Sequence, residues 1–396
     1  MKVLQINAVY GISSTGRTTK ELDDGLRERK IESIVATTKT NVEKDDLYII
    51  GNRFDWKLHG LLSRVFGKQG YFSSRSTGKL LSYITDERPD VVHLRNLHGN
   101  YVNLPMLLRY LAKNDIATVI TLHDCWFFTG KCTHYIDKAC NKWQTGCYNC
   151  PKLHVDNKSW FFDRTKKVWV DKNKLFNEIP RLAVVGVSNW TANEAKKSFL
   201  KDSKVVKRIY NWVDLDTFCP HESNILEKDV KDKFVILGVA SHWSKSKGLD
   251  DFDELSKKLD DKFQIVLVGE FDCKNNNRIV YLPPTSSKEE LSDLYAAANV
   301  FFNPSKMETF GKVTAEALSC GTPVIVYDST ACSELVGEGC GFVEEVGNID
   351  AVYNDIVLME HEKKNRTAAC RKFAQDNFDK DKLIDEYVDL YRKLIE

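Results

Sequence analysis

The sequence predicts an α/β protein of two doubly wound, parallel-sheet domains of Rossmann-like type facing a cleft. Three observations carry this. Apolar strand-like runs alternate with helical stretches in two successive sets. A charged segment without apolar periodicity, residues 219–232, separates the sets. At two strand–helix junctions, near Gly16 and at Gly311, a glycine stands at the mouth of a helix. The 396 residues suffice for two or three domains. The expected division is 1–220, 221–380 and a terminal helix over 381–396.

Hydrophobic content of 42% and charged content of 29% belong to a globular protein. Net charge is +1, from 57 basic and 56 acidic residues, which argues against a broad nucleic-acid surface. Lys2 opens directly on a strand, and no apolar run reaches the ~20 residues of a membrane span. A cytoplasmic location is therefore expected. There the 11 cysteines read as thiols or metal ligands rather than disulfides.

In the first set, Val3 to Ala8 is a strand, followed by a loop through Gly16 and Arg17 and a helix from about Thr18 to Arg29. This geometry suits an anion. Ile31 to Thr37 is the next strand. Residues 52–75 interleave Arg53, Lys57, Arg64, Lys68 and Arg75 with aromatic and aliphatic side chains. Such a stretch lies on an anionic membrane surface or forms a helix with a solvated basic face. A helix near Ser76 to Thr85 leads to a strand ending at Leu94. His98 and Asn100 follow, where open sheets place ligands, and an acceptor-side role is expected for them. The strand from Ala117 to Leu122 ends in His123.

The loop 125–151 then holds Cys125, Cys132, Cys140, Cys147 and Cys150. The C-x2-C pair Cys147 and Cys150 can place two thiolates on one ion, and Cys132 and Cys140 would complete a tetrahedral structural zinc site. Free buried thiols and disulfides are the alternatives. Residues 152–174 are expected to be helical and to offer a second membrane- or acceptor-facing surface. Strands at Leu182 to Val187 and Val205 to Tyr210 flank a helix from about Thr191 to Phe199.

The second set opens with the strand Phe234 to Ala240 and the loop from Ser241 to Gly248. Further strands run from Phe263 to Gly269 and Ile279 to Leu282, followed by Pro283, Pro284 and Thr285 and a helix from Lys288 to Ala297. Val300 to Phe302 then leads to a polar loop with Glu308, Phe310 and Gly311, a helix from about Lys312 to Cys320, and a strand from Pro323 to Tyr327. Glu316 lies inside that helix among apolar neighbours, a costly place for an unpartnered carboxylate. Either Lys312 pairs with it one turn away, or it accepts two hydroxyls of a ligand. Helices from 350 to 361, Lys363 to Asn377 and Lys380 to Glu396 close the chain.

The spacing Glu308-x7-Glu316, the following Cys320-Gly321-Thr322-Pro323-Val324 and the later Ser333-Glu334-Leu335-Val336 resemble the retaining glycosyltransferases of family 4, which have the GT-B fold. The resemblance covers nearly the whole chain and is strongest from Phe234 to Val336. It implies that Glu308 orients the donor sugar and supports its cationic character, while Glu316 holds the ribose. Lys247, in Lys247-Gly248, would neutralise the leaving diphosphate. The helix mouth at Phe310, Gly311 and Lys312 would bind the same phosphates, with the Gly16–Arg17 loop. His123 would position the sugar, and the backbone at Pro284 and Thr285 would face the base. Where the family has arginine, this chain has His242, with Lys245 as the other available cation. Trp212 stands in place of the glycine of Asn-Gly-Val-Asp. The cysteine loop looks like an insertion found in a subset of bacterial polysaccharide glycosyltransferases. The terminal helix resembles one that crosses back to the N-terminal domain.

The implied activity is transfer of a sugar, with retention, from a nucleoside-diphosphate sugar to a growing glycan or lipid-linked glycan acceptor. No metal is required for this chemistry, and peripheral contact with an anionic membrane is expected. Two other readings stand beside it: a nucleotide-sugar epimerase of the same fold, and a silent donor-binding subunit of a glycan-assembly complex.

Overall fold

The computed structural model describes every residue except 45, 228, 229, 231, 273–275, 286, 363 and 364. The expected helix start at Lys363 and part of the 219–232 stretch lie outside the described residues. The chain forms two compact units, Met1–Ile209 with Ile384–Glu396, and Tyr210–Leu383.

The first unit contains a seven-stranded sheet in the order Leu47–Ile49, Glu32–Thr37, Lys2–Ile6, Val91–Leu94, Ala117–Leu122, Leu182–Gly186 and Val205–Arg208. Its pairings are parallel. Every residue of Val91–Leu94, Ala117–Leu122 and Leu182–Gly186 is buried. Burial on both faces explains why these strands read as continuous apolar runs.

The strand order reverses between Lys2–Ile6 and Val91–Leu94, and crevices beyond such switch points hold ligands. The loop beyond the first of these strands differs from expectation. The helix starts at Ser13, not near Thr18, and runs to Glu28. Thr18 and Thr19 donate back to the Thr15 carbonyl at 3.0 and 2.7 Å, so the hydroxyls bend onto the helix instead of breaking it. The turn glycine is Gly11, at φ +74, where a Cβ would meet Asn41 Oδ1 at 2.7 Å.

The basic-aromatic stretch forms the Arg53–Phe66 helix, opened by a capping box between Asn52 and Asp55 and closed by Gly67 at φ +67. A second helix, Ser74–Glu87, follows. The single helix expected over 152–174 is not formed. Turns occupy 151–157, and the helix is Thr165–Asn177. Asp163 Oδ1 accepts from the Thr165 N–H at 2.9 Å and hydroxyl at 2.6 Å, which fixes the turn that launches it.

The second unit has a six-stranded sheet in the order Ile279–Leu282, Phe263–Glu270, Phe234–His242, Val300–Asn303, Val324–Tyr327 and Gly341–Glu344, again parallel. The Phe234–His242 strand runs through Ser241 and His242, which the sequence placed in a loop, with a register slip between Val239 and His242. The order reverses between Phe234–His242 and Val300–Asn303. The loops beyond these two strands carry Lys247 and Glu308.

Candidate active site

In the second unit the two switch-point loops are fastened together. Lys306 N donates to the Ser246 carbonyl at 2.9 Å. Gly248, at φ +77, lies so close to Pro304 that a Cβ would meet its Cβ and Cγ at 2.5 Å. This contact, with the left-handed backbone, is the physical reason for glycine after Lys247. Lys247 Nζ then meets Glu308 Oε1 at 2.5 Å, with Lys247 36% and Glu308 17% exposed. The backbone of Glu308 is held by Thr330, whose Oγ1 accepts from the Glu308 N–H at 2.8 Å. Thr330 sits at φ +51, a costly conformation for a β-branched residue.

Gly311, at φ +90, caps the Lys312–Ser319 helix, and no side chain caps that end. Its free N–H groups and dipole suit a phosphate. Glu316 is 7% exposed and accepts from the Tyr295 hydroxyl at 3.3 Å, the contact the structure provides instead of Lys312. Burial, then the Glu316 charge, push the Tyr295 hydroxyl well above its ordinary pKa, so it remains a donor.

Other sequence-predicted residues lie differently. The Phe310 ring is buried against Tyr210 and Phe378, with centroids 5.8 and 5.6 Å away, so only its backbone is left for a ligand. His242 faces carboxylates, with Nδ1 3.9 Å from Glu270 and Nε2 3.6 Å from Asp272. Lys245 is 90% exposed beside Asp250 at 3.7 Å. Pro284 is exposed and Thr285 half-buried beyond the Ile279–Leu282 strand.

In the first unit Gly16 is inside the helix. A Cβ there would meet Val9 Cγ2 at 3.1 Å, so this glycine serves close packing and not the turn itself. Arg17 is exposed on the same helix. His123 meets a residue the sequence reading missed. Arg95 is 1% exposed, and its Nε and Nη2 lie 3.3 and 3.1 Å from His123 Nε2. A guanidinium only donates, so Nε2 accepts and the His123 proton is on Nδ1. Burial, then the Arg95 charge, lower His123 to about 3, which keeps its ring neutral. Asn7, fully buried, ties the two switch-point loops together, donating to Thr19 Oγ1 at 2.8 Å and accepting from Asn96 N at 3.1 Å.

Beside them, His98 Nε2 and Asp124 Oδ2 are 2.7 Å apart. Burial opposes charge on both, but their mutual attraction wins, raising His98 and lowering Asp124.

The zinc expectation for Cys132, Cys140, Cys147 and Cys150 gains no support. Among the described residues no group of three or more His, Cys, Asp or Glu is arranged to hold a metal ion. The four cysteines line one cavity of about 20 Å³, and three of them have hydrogen-bond partners. Cys132 donates to Cys150, and Cys147 Sγ accepts from Gly130 N at 3.2 Å. The loop also has an aromatic core of its own: Phe128, Tyr135 and Trp143 are 0–3% exposed, with the Trp143 ring 5.0 Å from each of the others.

Residues 15–217 match the family model described as Glycosyltransferase Family 4, and residues 222–376 match that of Glycosyl transferases group 1. The chain belongs to Glycosyltransferase Family 4.

This glycosyltransferase is 24% identical, over 326 residues and 77% of each chain, to a protein assigned as a colanic acid biosynthesis glycosyl transferase of Escherichia coli (strain K12). It is 26% identical over 228 residues to an N,N'-diacetylbacillosaminyl-diphospho-undecaprenol alpha-1,3-N-acetylgalactosaminyltransferase of Campylobacter jejuni, covering 51% of this chain and 59% of the other. Among solved structures, sucrose-phosphate synthase from Thermosynechococcus elongatus gives a TM-score of 0.69 at 16% identity, covering 99% and 98% of the two chains. An Anabaena protein in complex with UDP-glucose gives 0.65 at 17% identity, covering 99% and 100%. These likenesses show the GT-B fold. The residues missed in this glycosyltransferase, Arg95, Asn7 and Thr330, had no sequence signal beyond their places just outside strand ends.

Proposed function

We propose that this glycosyltransferase moves a sugar, with retention, from a nucleoside-diphosphate sugar onto a growing polysaccharide or lipid-linked glycan. It would work in the cytoplasm at the inner face of the membrane, through peripheral contact. No helix among the described residues is long and apolar enough to cross one. The observation that carries the reading is the Lys247–Glu308 pair, fastened at a topological switch point in the unit that also holds the open Gly311 helix mouth and buried Glu316.

The chemistry follows from these groups. The Lys247 ammonium and the Gly311 helix mouth meet the charge that grows on the leaving diphosphate, usually the largest single contribution to such catalysis. Glu308 holds Lys247 in place before the donor arrives and then faces the sugar as it becomes cationic. Glu316 accepts the ribose hydroxyls. Neutral His123 donates from Nδ1 to a sugar or phosphate oxygen. The leaving phosphate takes the acceptor's proton in a same-face displacement.

The test is a screen of nucleotide sugars by thermal shift, slow hydrolysis and transfer, with the anomeric configuration of the product read by NMR. Lys247→Ala is expected to lower kcat by about 10²–10³-fold. Glu308→Gln should lose turnover and keep donor binding, whereas Glu316→Gln should weaken nucleotide binding. An inverted product rules out retention, and unchanged kinetics in all three variants rules out the site.

A further inference from the structure

Two cavities on the first unit have no part in donor binding as described above. One, of about 530 Å³, includes Ser63, Lys158 and Trp160 in its wall. The other, of about 580 Å³, includes Arg53, Trp56 and Lys57. They meet at Gly60, Arg64 and Asn100, which line both. Each volume is that of a small-molecule site. Neither wall contains a carboxylate. Among the described residues Arg53, Lys57, Arg64 and Lys158 form no ion pair. A set of unneutralised cations around a concave space favours an anion.

Two further observations sit at the junction. Asn100 is held at φ +58, and its Oδ1 has no hydrogen-bond partner. Ser63 Oγ, in the first cavity wall, is also buried without a partner. Unmet polar groups in one wall are costs that a hydroxylated ligand relieves.

Around the mouth the surface is apolar. Phe54 is 72% exposed and Phe161 68%, with Leu58, Leu61, Trp160 and Phe162 also exposed. These side chains form one surface, because Trp160 N donates to the Arg64 carbonyl at 2.7 Å and fastens the 160–162 loop to the end of the Arg53–Phe66 helix. Aromatic residues beside cations are the composition of a membrane-interface contact.

We infer that the double cavity joined at Gly60, Arg64 and Asn100 binds the diphosphate and first sugar of a lipid-linked acceptor, whose hydrocarbon chain stays in the bilayer under the Phe54–Phe161 surface. The acceptor's role as a substrate rests on the transferase reading, but its binding does not. Arg64 serves both cavities and contacts the diphosphate. Arg53, Lys57 and Lys158 supply the remaining positive charge, and Asn100 and Ser63 meet sugar hydroxyls.

Flotation of the full-length protein tests this, with neutral phosphatidylcholine vesicles, the same vesicles carrying polyprenyl diphosphate, and the same carrying phosphatidylglycerol. Binding is expected to be strongest to the diphosphate vesicles and to be displaced by inorganic pyrophosphate. Arg64→Glu should weaken it at least about tenfold, since it removes one positive charge beside the anionic surface and adds a negative one. Gly60→Met fills the junction without strain, because a Cβ at Gly60 has its nearest neighbour at 3.8 Å. It should abolish diphosphate preference while leaving phosphatidylglycerol binding intact. Thermal melts that match the parent show that both variants are folded. Equal binding to all three vesicles, or a diphosphate preference untouched by Gly60→Met, overturns the inference. If Lys247→Ala abolishes transfer while diphosphate-vesicle binding persists, the cavity assignment is supported independently of the catalytic one.

Discussion

At Gly248 a hydrogen in place of a methyl group decides whether two loops can touch. Gly248→Ala places a Cβ 2.5 Å from Pro304 on a backbone at φ +77. The expected cost is about 1–3 kcal/mol in chemical denaturation, with donor affinity lost as Lys247 moves away from Glu308. Arg95 acts through a proton. It adds to burial in keeping His123 neutral, and it fixes Nε2 as the acceptor. In Arg95→Met that repulsion is gone while burial remains, so the histidine pKa rises from about 3 but stays below its ordinary value. The kcat/KM profile of the variant should then begin to fall on acidification at a higher pH than the parent's. The parent profile should carry no such limb from His123, and identical profiles would rule out this role. Gly248 and Glu316 were legible in the sequence because each is costly locally: a glycine next to a lysine at a loop end, a carboxylate inside an apolar helix. Arg95 and Thr330 were not. A guanidinium 28 residues from its histidine and a threonine at positive φ leave no local pattern to read.

At the scale of elements, the central strands were legible as continuous apolar runs because they are buried on both faces, and the long helices were legible from their amphipathic periodicity. The Ser13–Glu28 helix was read short, since its first residues, Ser13, Ser14, Thr15 and Gly16, have the composition of a loop. Tertiary packing of Gly16 on Val9 overrides that composition. The cysteine loop was read through its sulfur atoms, whereas its aromatic residues carry the packing. Trp143→Ala is therefore expected to cost about 3–5 kcal/mol. Cys140→Ser, at a half-buried position, should cost much less. Urea denaturation of both variants checks the order. A larger loss from Cys140→Ser would return the loop to its sulfur atoms.

At the scale of the whole molecule, acid sensitivity concentrates in the first unit. Burial lowers His59 to about 4, and lowers His93 well below its usual value. With His123 at about 3, all three bind a proton more weakly folded than unfolded. The unfolded chain therefore takes up more protons below about pH 6.5, so stability is full above that value and falls as pH drops toward 4. Thermal melts across this range should show the fall, and His59→Gln should make it shallower. The same unit depends on the far end of the chain. Residues 384–396 belong to it, and its sheet hydrogen-bonds to them: His93 Nδ1 lies 2.8 Å from the Tyr391 hydroxyl, and Thr121 Oγ1 lies 3.0 Å from that of Tyr387. Gly25 is bare because Ile384 Cδ1 would stand 2.5 Å from any Cβ there. Deleting 384–396 should lower the first unit's melting temperature by many degrees, and an unchanged melt would refute this dependence. On the ribosome the consequence is one of timing. The strands and helices up to Ile209 emerge first, yet their last apolar face and two of their buried polar partners arrive only with residues 384–396, after all of the second unit has been synthesised. A nascent chain halted before Ile384 keeps that face open to chaperones and proteases, so the first unit is completed only after the second has been made.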